Sequence, residues 1–150
     1  MKGVPAVAVS LWLGAMAFLA VVVAPVAFAT LDREAAGRFV SAVFPRYYAA
    51  GLLLGVLALA GIGWRWCVGG WRSRDGLALA LVLVMLGLTL YAWAVVLPQA
   101  HAAREALRQT GAASTDAFRF ARLHRLSGAL NTMAMVTGIA LLVLEAWRRP

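Results

Sequence analysis

Four stretches without a charged side chain decide what this chain can fold into. They span residues 3–31, 47–64, 76–100 and 126–144, and hold 29, 18, 25 and 19 residues with no Asp, Glu, Lys, Arg or His. A bilayer's hydrocarbon core, about 30 Å thick, takes roughly 20 helical residues, with a working range of about 17–25. Each stretch is long enough to cross it, and little chain is left to build anything else. The 63% hydrophobic and 13% charged composition points the same way, since a soluble domain carries about 25% charged residues. The expectation is an all-α integral membrane four-helix bundle, a single transmembrane domain over residues 1–150. Its helices are placed at about 6–30, 46–64, 76–97 and 118–147.

A net charge of +8 raises the question of nucleic acid, whose binders show a basic patch on a folded surface. Here the arginines cluster at helix ends, where guanidinium groups reach phospholipid headgroups while their stems lie along apolar surface. The lipid bilayer is therefore the expected partner, and nucleic acid is not. Cys67 is the one cysteine, which excludes an intrachain disulfide and a multi-cysteine metal site. Ala27-Phe28-Ala29 imitates a signal-peptide cleavage site, but the apolar run before it exceeds an h-region of about 7–15 residues. Residues 4–30 read as a retained helix.

Pro25 lies inside that helix and should bend it. In residues 31–45, Leu31, Ala35, Phe39, Ala42 and Val43 recur at helical spacing with charges between them. This predicts a short amphipathic segment along the membrane surface between helices one and two. Gly51, Gly55 and Ala58 put small residues on one stripe of helix two, suited to close packing within the bundle or to a homodimer seam. Trp64, Trp66 and Trp71, with Arg65, Arg72 and Arg74, mark an aromatic belt at one membrane face. Pro98 should bend helix three, beyond which residues 99–109 form a polar helical extension. Gly111 to Thr115 reads as a loop in which Ser114 or Thr115 can cap the last helix. Lys and Arg number six at one end of the bundle and eight at the other, too even for the positive-inside rule to set orientation.

Chemistry concentrates in the last helix. His124, Asn131, Gly138 and Glu145 recur every seven residues and so run along one stripe, flanked by Ser127 and Thr137. Polar groups in hydrocarbon are costly unless paired, so this stripe should face the bundle interior. His124, Ser127, Asn131 and Glu145 are the candidate binding residues. Glu145, near the helix end, is better suited to a structural role, reaching the interface or pairing with Arg148 or Arg149. Arg119, Arg122 and Arg125, at i,i+3 spacing, can hold an anion or a lipid headgroup. His101 closes helix three and His124 opens helix four, so antiparallel packing brings both to one face. Facing histidines can ligate a divalent metal or a haem iron. No HExxH, GxSxG or P-loop occurs, and no paired carboxylates lie deep in the membrane. No catalytic residue is assigned.

The chain resembles the transmembrane protein 205-like family, also catalogued as domain of unknown function 4149. The likeness rests on four passages: Gly14 through Ala24-Pro25 and Phe28, Phe44-Pro45 with Tyr47-Tyr48, Leu97-Pro98, and Phe120, Arg122, Leu123, His124, Leu126, Ser127 and Asn131, with Glu145 ending the same helix. It implies a four-helix membrane domain with no established activity. The function expected is that of a small membrane protein, not an enzyme, which binds a ligand or partner through the polar stripe of helix four. A metal- or haem-dependent redox or transport protein using His101 and His124 is the alternative, and a structural subunit of a membrane complex, or a homo-oligomer, a further one. The composition suggests a bacterial plasma (inner) membrane.

Overall fold

A computed structural model describes residues 3–70, 73–110 and 115–147. Lys2, Trp71, Arg72, Ser114, Arg148 and Arg149 lie outside the described residues. Four long helices follow one another: α1 (Val4–Thr30), α2 (Arg33–Gly69), α3 (Ser73–Gln109) and α4 (Thr115–Ala146). All four are long and apolar enough to cross a membrane. Large apolar side chains cover the outside of the bundle, with Val21 72%, Leu53 62% and Val136 62% exposed. Together these features describe a multi-pass membrane protein.

Each helix packs against its neighbours in a closed ring, α1 on α2, α2 on α3, α3 on α4 and α4 on α1. Helices α2 and α4 therefore stand diagonally across the bundle. Trp12 and Met16 of α1, Ile62 of α2, Val82 and Met85 of α3 and Leu141 of α4 fill the core at one end. Tyr48, Ala92, Val96, Ala103, Leu123 and Leu130 fill the other. Gly51 and Gly55 form the notch that receives Trp12. A Cβ at Gly51 would lie 2.5 Å from the indole Nε1, and one at Gly55 would lie 3.0 Å from Cζ3. The small-residue stripe of α2 is thus used inside the bundle, where it lets α1 approach closely.

The two intramembrane prolines are accommodated by widening the helix. Leu19–Val23 and Ala92–Val96 are π-helical, each ending two residues before a proline, Pro25 or Pro98. A helical proline lacks an N–H and its ring presses on the carbonyl four residues back. Those carbonyls, on Val21 and Ala94, fall inside the π turns, where the wider turn relieves the clash.

The amphipathic segment differs from expectation. Residues 33–45 are not a separate surface element but the first turns of α2, continuous through Pro45. Asp32 caps this start, its Oδ1 accepting from the N–H groups of Glu34 at 3.0 Å and Ala35 at 2.8 Å. The polar side of the segment is occupied by the extension of α3. Arg104 donates to Ser41 Oγ at 2.9 Å and to the Glu34 carbonyl at 3.2 Å. Its guanidinium rests where Gly37 has no side chain. Arg108 pairs with the Glu34 carboxylate at 2.5 Å. These contacts hold the segment against α3. At its far end α2 stops where Gly70 takes a left-handed φ of 73° and donates to the Trp66 carbonyl, a conformation open to glycine.

Candidate functional site

The polar residues of α4 are met from the diagonal helix. The Tyr47 hydroxyl donates to Asn131 Oδ1 at 2.5 Å. The Tyr48 hydroxyl lies 3.5 Å from Ser127 Oγ. Arg65 donates twice to the Glu145 carboxylate, at 2.6 and 3.1 Å. Across the ring, the long side chains of Tyr and Arg span the gap from α2 to α4. The Asp75 carboxylate, from the first turn of α3, lies 3.4 Å from the same guanidinium. Asp75 and Glu145 are both buried. Arg65 Nε is buried without a hydrogen-bond partner among the described residues.

These contacts form two polar layers. At 1.5 Å per residue, the Tyr47 and Arg65 levels stand roughly 27 Å apart along α2, close to the thickness of a hydrocarbon core. One layer therefore belongs to each end of the membrane-spanning bundle, with an apolar core between them. Placing the Arg65, Asp75 and Glu145 charges at an end, in mutual contact, spares them the larger cost of an unpaired charge at depth. The tyrosine layer is stiffened by an aromatic cluster: Phe44 stacks on Tyr48 with centroids 5.7 Å apart, and Tyr47 tilts against Tyr48 at 5.1 Å. Beside it is a cavity of about 10 Å³ lined by Tyr48, Thr89, Asn131 and apolar side chains.

The structure does not gather the seven-residue stripe onto one face. His124 is exposed, its ring stacked on Phe120 at 6.2 Å. Gly138 is buried against Leu13 and Met85, and Glu145 is buried on Arg65. A strict seven-residue repeat drifts by about 20° per heptad around a straight helix. Over three heptads this turns His124 away from the side that Glu145 faces. His101 is exposed as well, and no hydrogen bond or ring contact joins the two histidines. Among the described residues, no group of three or more His, Cys, Asp or Glu is placed to hold a metal.

Arg119, Arg122 and Arg125 are all exposed near the start of α4. Among the described residues they make no ion pair, and neither do Arg33 and Arg46 at the same end of the bundle. Among the described residues Arg46 donates to the Ala42 carbonyl, at 3.0 Å. The partners of the α4 stripe, namely Tyr47, Tyr48, Arg65 and Asp75, are not singled out as a site by sequence reasoning. Arg65 is grouped there with the aromatic belt, and its signal as an ion-pair partner is its position one residue past a charge-free run, with Asp75 just before the next.

The family described as domain of unknown function (DUF4149) matches residues 7–109, which cover most of α1, α2 and α3. Helix α4 lies outside the matched stretch. An uncharacterized protein of Aquifex aeolicus (strain VF5) is 28% identical over 141 residues, covering 93% of this chain and 92% of that protein. No solved structure matches the chain. With most of the chain matched, and the matched stretch forming three of four packed membrane-spanning helices, the chain belongs to the DUF4149 family.

Proposed function

We propose that this protein is a non-catalytic binding protein of a plasma membrane, bacterial by composition, whose working surface is its arginine-rich end. The observation that carries this is the set of arginines there without carboxylate partners among the described residues: Arg33, Arg46, Arg119, Arg122 and Arg125. Arginine's flat fork of donors suits phosphate oxygens, and basic side chains near a bilayer surface attract anionic lipid. The ligand class proposed is therefore the anionic phospholipid headgroup, with Arg119, Arg122 and Arg125 as its principal contacts. The polar stripe of α4 serves a different purpose in this reading. Ser127, Asn131 and Glu145 each meet a side chain of α2, so a ligand the size of a lipid headgroup reaching them must first displace Tyr48, Tyr47 or Arg65. The passage from Phe120 to Asn131 supports placing the chain among the transmembrane protein 205-like members of its family.

The test is lipid retention. The protein is purified in mild detergent, offered equal amounts of phosphatidylglycerol and phosphatidylcholine, and examined by native mass spectrometry. Preferential phosphatidylglycerol adducts are expected, and they should largely disappear when Arg119, Arg122 and Arg125 are all replaced by Gln. Equal retention of the two lipids by the unaltered protein overturns the proposal. Co-purification of a stoichiometric second protein that the triple substitution releases would also overturn it, in favour of a subunit of a larger complex.

A further inference from the structure

Thr89 of α3 is buried, 7% exposed, in a helix that crosses the membrane. A threonine there usually returns its hydroxyl to the carbonyl four residues back. Among the described residues Thr30 donates in this way to Val26 O at 2.7 Å and Thr137 to Met133 O at 2.8 Å. Thr89 has no such bond, and its hydroxyl has no partner among the described residues. It lines the cavity of about 10 Å³ together with Tyr48 and Asn131.

Both of those neighbours have hydrogen-bonding capacity to spare. Asn131 accepts from Tyr47 on Oδ1, which leaves its two amide hydrogens to donate. Tyr48 meets Ser127 only at 3.5 Å, at the outer limit of a hydrogen bond. Three polar side chains from three helices thus converge on one small space, kept open by the small side chains of Ala92 and Ala134. An apolar cavity stays dry, but a polar one of roughly 10–15 Å³ with two to four partners holds a water. A larger ligand does not fit, and no charged group lines the space to hold an ion.

We propose that one ordered water molecule is bound here, accepting from Asn131 Nδ2, donating to Thr89 Oγ1 and sharing a hydrogen bond with the Tyr48 hydroxyl. The polar layer then runs unbroken from Tyr47 through Asn131, the water and Tyr48 to Ser127, and α3 joins α2 and α4 in it. This site is independent of the arginine-rich end and of any lipid bound there.

The experiment is an experimental structure of the full chain in lipid at a resolution that shows ordered water. Solvent density is expected within about 2.7–3.2 Å of all three side chains. It should be lost in Thr89→Val, which keeps the shape and removes the hydroxyl, and kept in Thr89→Ser. A dry cavity in a map that shows water elsewhere in the bundle overturns the proposal. So does density that persists unchanged in Thr89→Val. Should Thr89→Val fail to fold, Ala134→Val fills the same space from α4 and is expected to expel the same density.

Discussion

Arg65 holds Glu145 from the diagonal helix with two hydrogen bonds of 2.6 and 3.1 Å, and holds Asp75 at 3.4 Å with the same guanidinium. One cation therefore serves two buried carboxylates from two other helices. The two ends of the pair are not equivalent. Replacing Arg65 by Ala withdraws the cation from both carboxylates, whereas Glu145→Gln leaves Arg65 with Asp75. Breaking a buried ion pair from one side typically costs about 3–5 kcal/mol. Arg65→Ala is expected at that level and Glu145→Gln well below it, as read by thermal unfolding in detergent micelles. Equal losses from the two substitutions would show that Asp75 draws nothing from Arg65.

The tyrosine layer should be weaker. Hydrogen bonds between membrane helices average about 0.6 kcal/mol and reach about 1.7. Tyr47→Phe and Asn131→Ala are each expected to destabilise the bundle by an amount of that order. A double-mutant cycle isolates the Tyr47–Asn131 contact from other losses. Strictly additive single effects would mean that the 2.5 Å bond contributes nothing to stability.

The number of helices and their approximate spans were legible because charge-free runs of bilayer length have few other uses. The start of α2 was not legible. The spacing of Leu31, Ala35 and Phe39 is the same for a helix lying on a membrane and for one continuing into it. What decides the matter is a distant contact, Arg104 and Arg108 reaching Glu34 and Ser41. The candidate site was legible on one side only. A polar stripe on α4 implies partners, but α2 offers its partners as two tyrosines behind a proline and an arginine at a helix end, each with an ordinary membrane explanation. His124 parts from the inward side of α4 because a seven-residue repeat drifts around a straight helix.

Substitutions at glycine should separate packing from propensity. Gly51→Ala places a methyl 2.5 Å from the Trp12 ring nitrogen, and overpacking of this kind typically costs about 1–3 kcal/mol. Gly87→Ala meets nothing within 4 Å and should be neutral or stabilising by up to about 1 kcal/mol, the difference in helix propensity. Combining Gly51→Ala with Trp12→Leu should recover part of the first loss. A Gly51→Ala protein that unfolds no earlier than the unaltered one would mean that α1 does not need this notch. The unfolding midpoint in a fixed detergent reports all three comparisons.

Acid should loosen the α1–α2 turn at one identifiable group. Asp32 lies between the two membrane-spanning segments, and its carboxyl is held below the ordinary value of 3.8. The hydrogen bond from the Ala35 amide is the largest cause; desolvation opposes it, and the Glu34 amide and the charge of Arg38 add to the lowering. The sign follows from linkage: a carboxylate whose folded pKa is depressed contributes stability above its unfolded value, and loses that contribution as pH falls through the folded one. The cap on α2 is therefore complete above 3.8 and disappears only at lower pH. In a nuclear magnetic resonance titration in micelles, the Ala35 amide should shift with a midpoint below 3.8. Asp32→Asn keeps an oxygen acceptor for the cap and should abolish the titration while leaving the helix start in place. A midpoint at or above 3.8, or an Ala35 amide indifferent to the substitution, would mean that Asp32 does not cap this helix in solution.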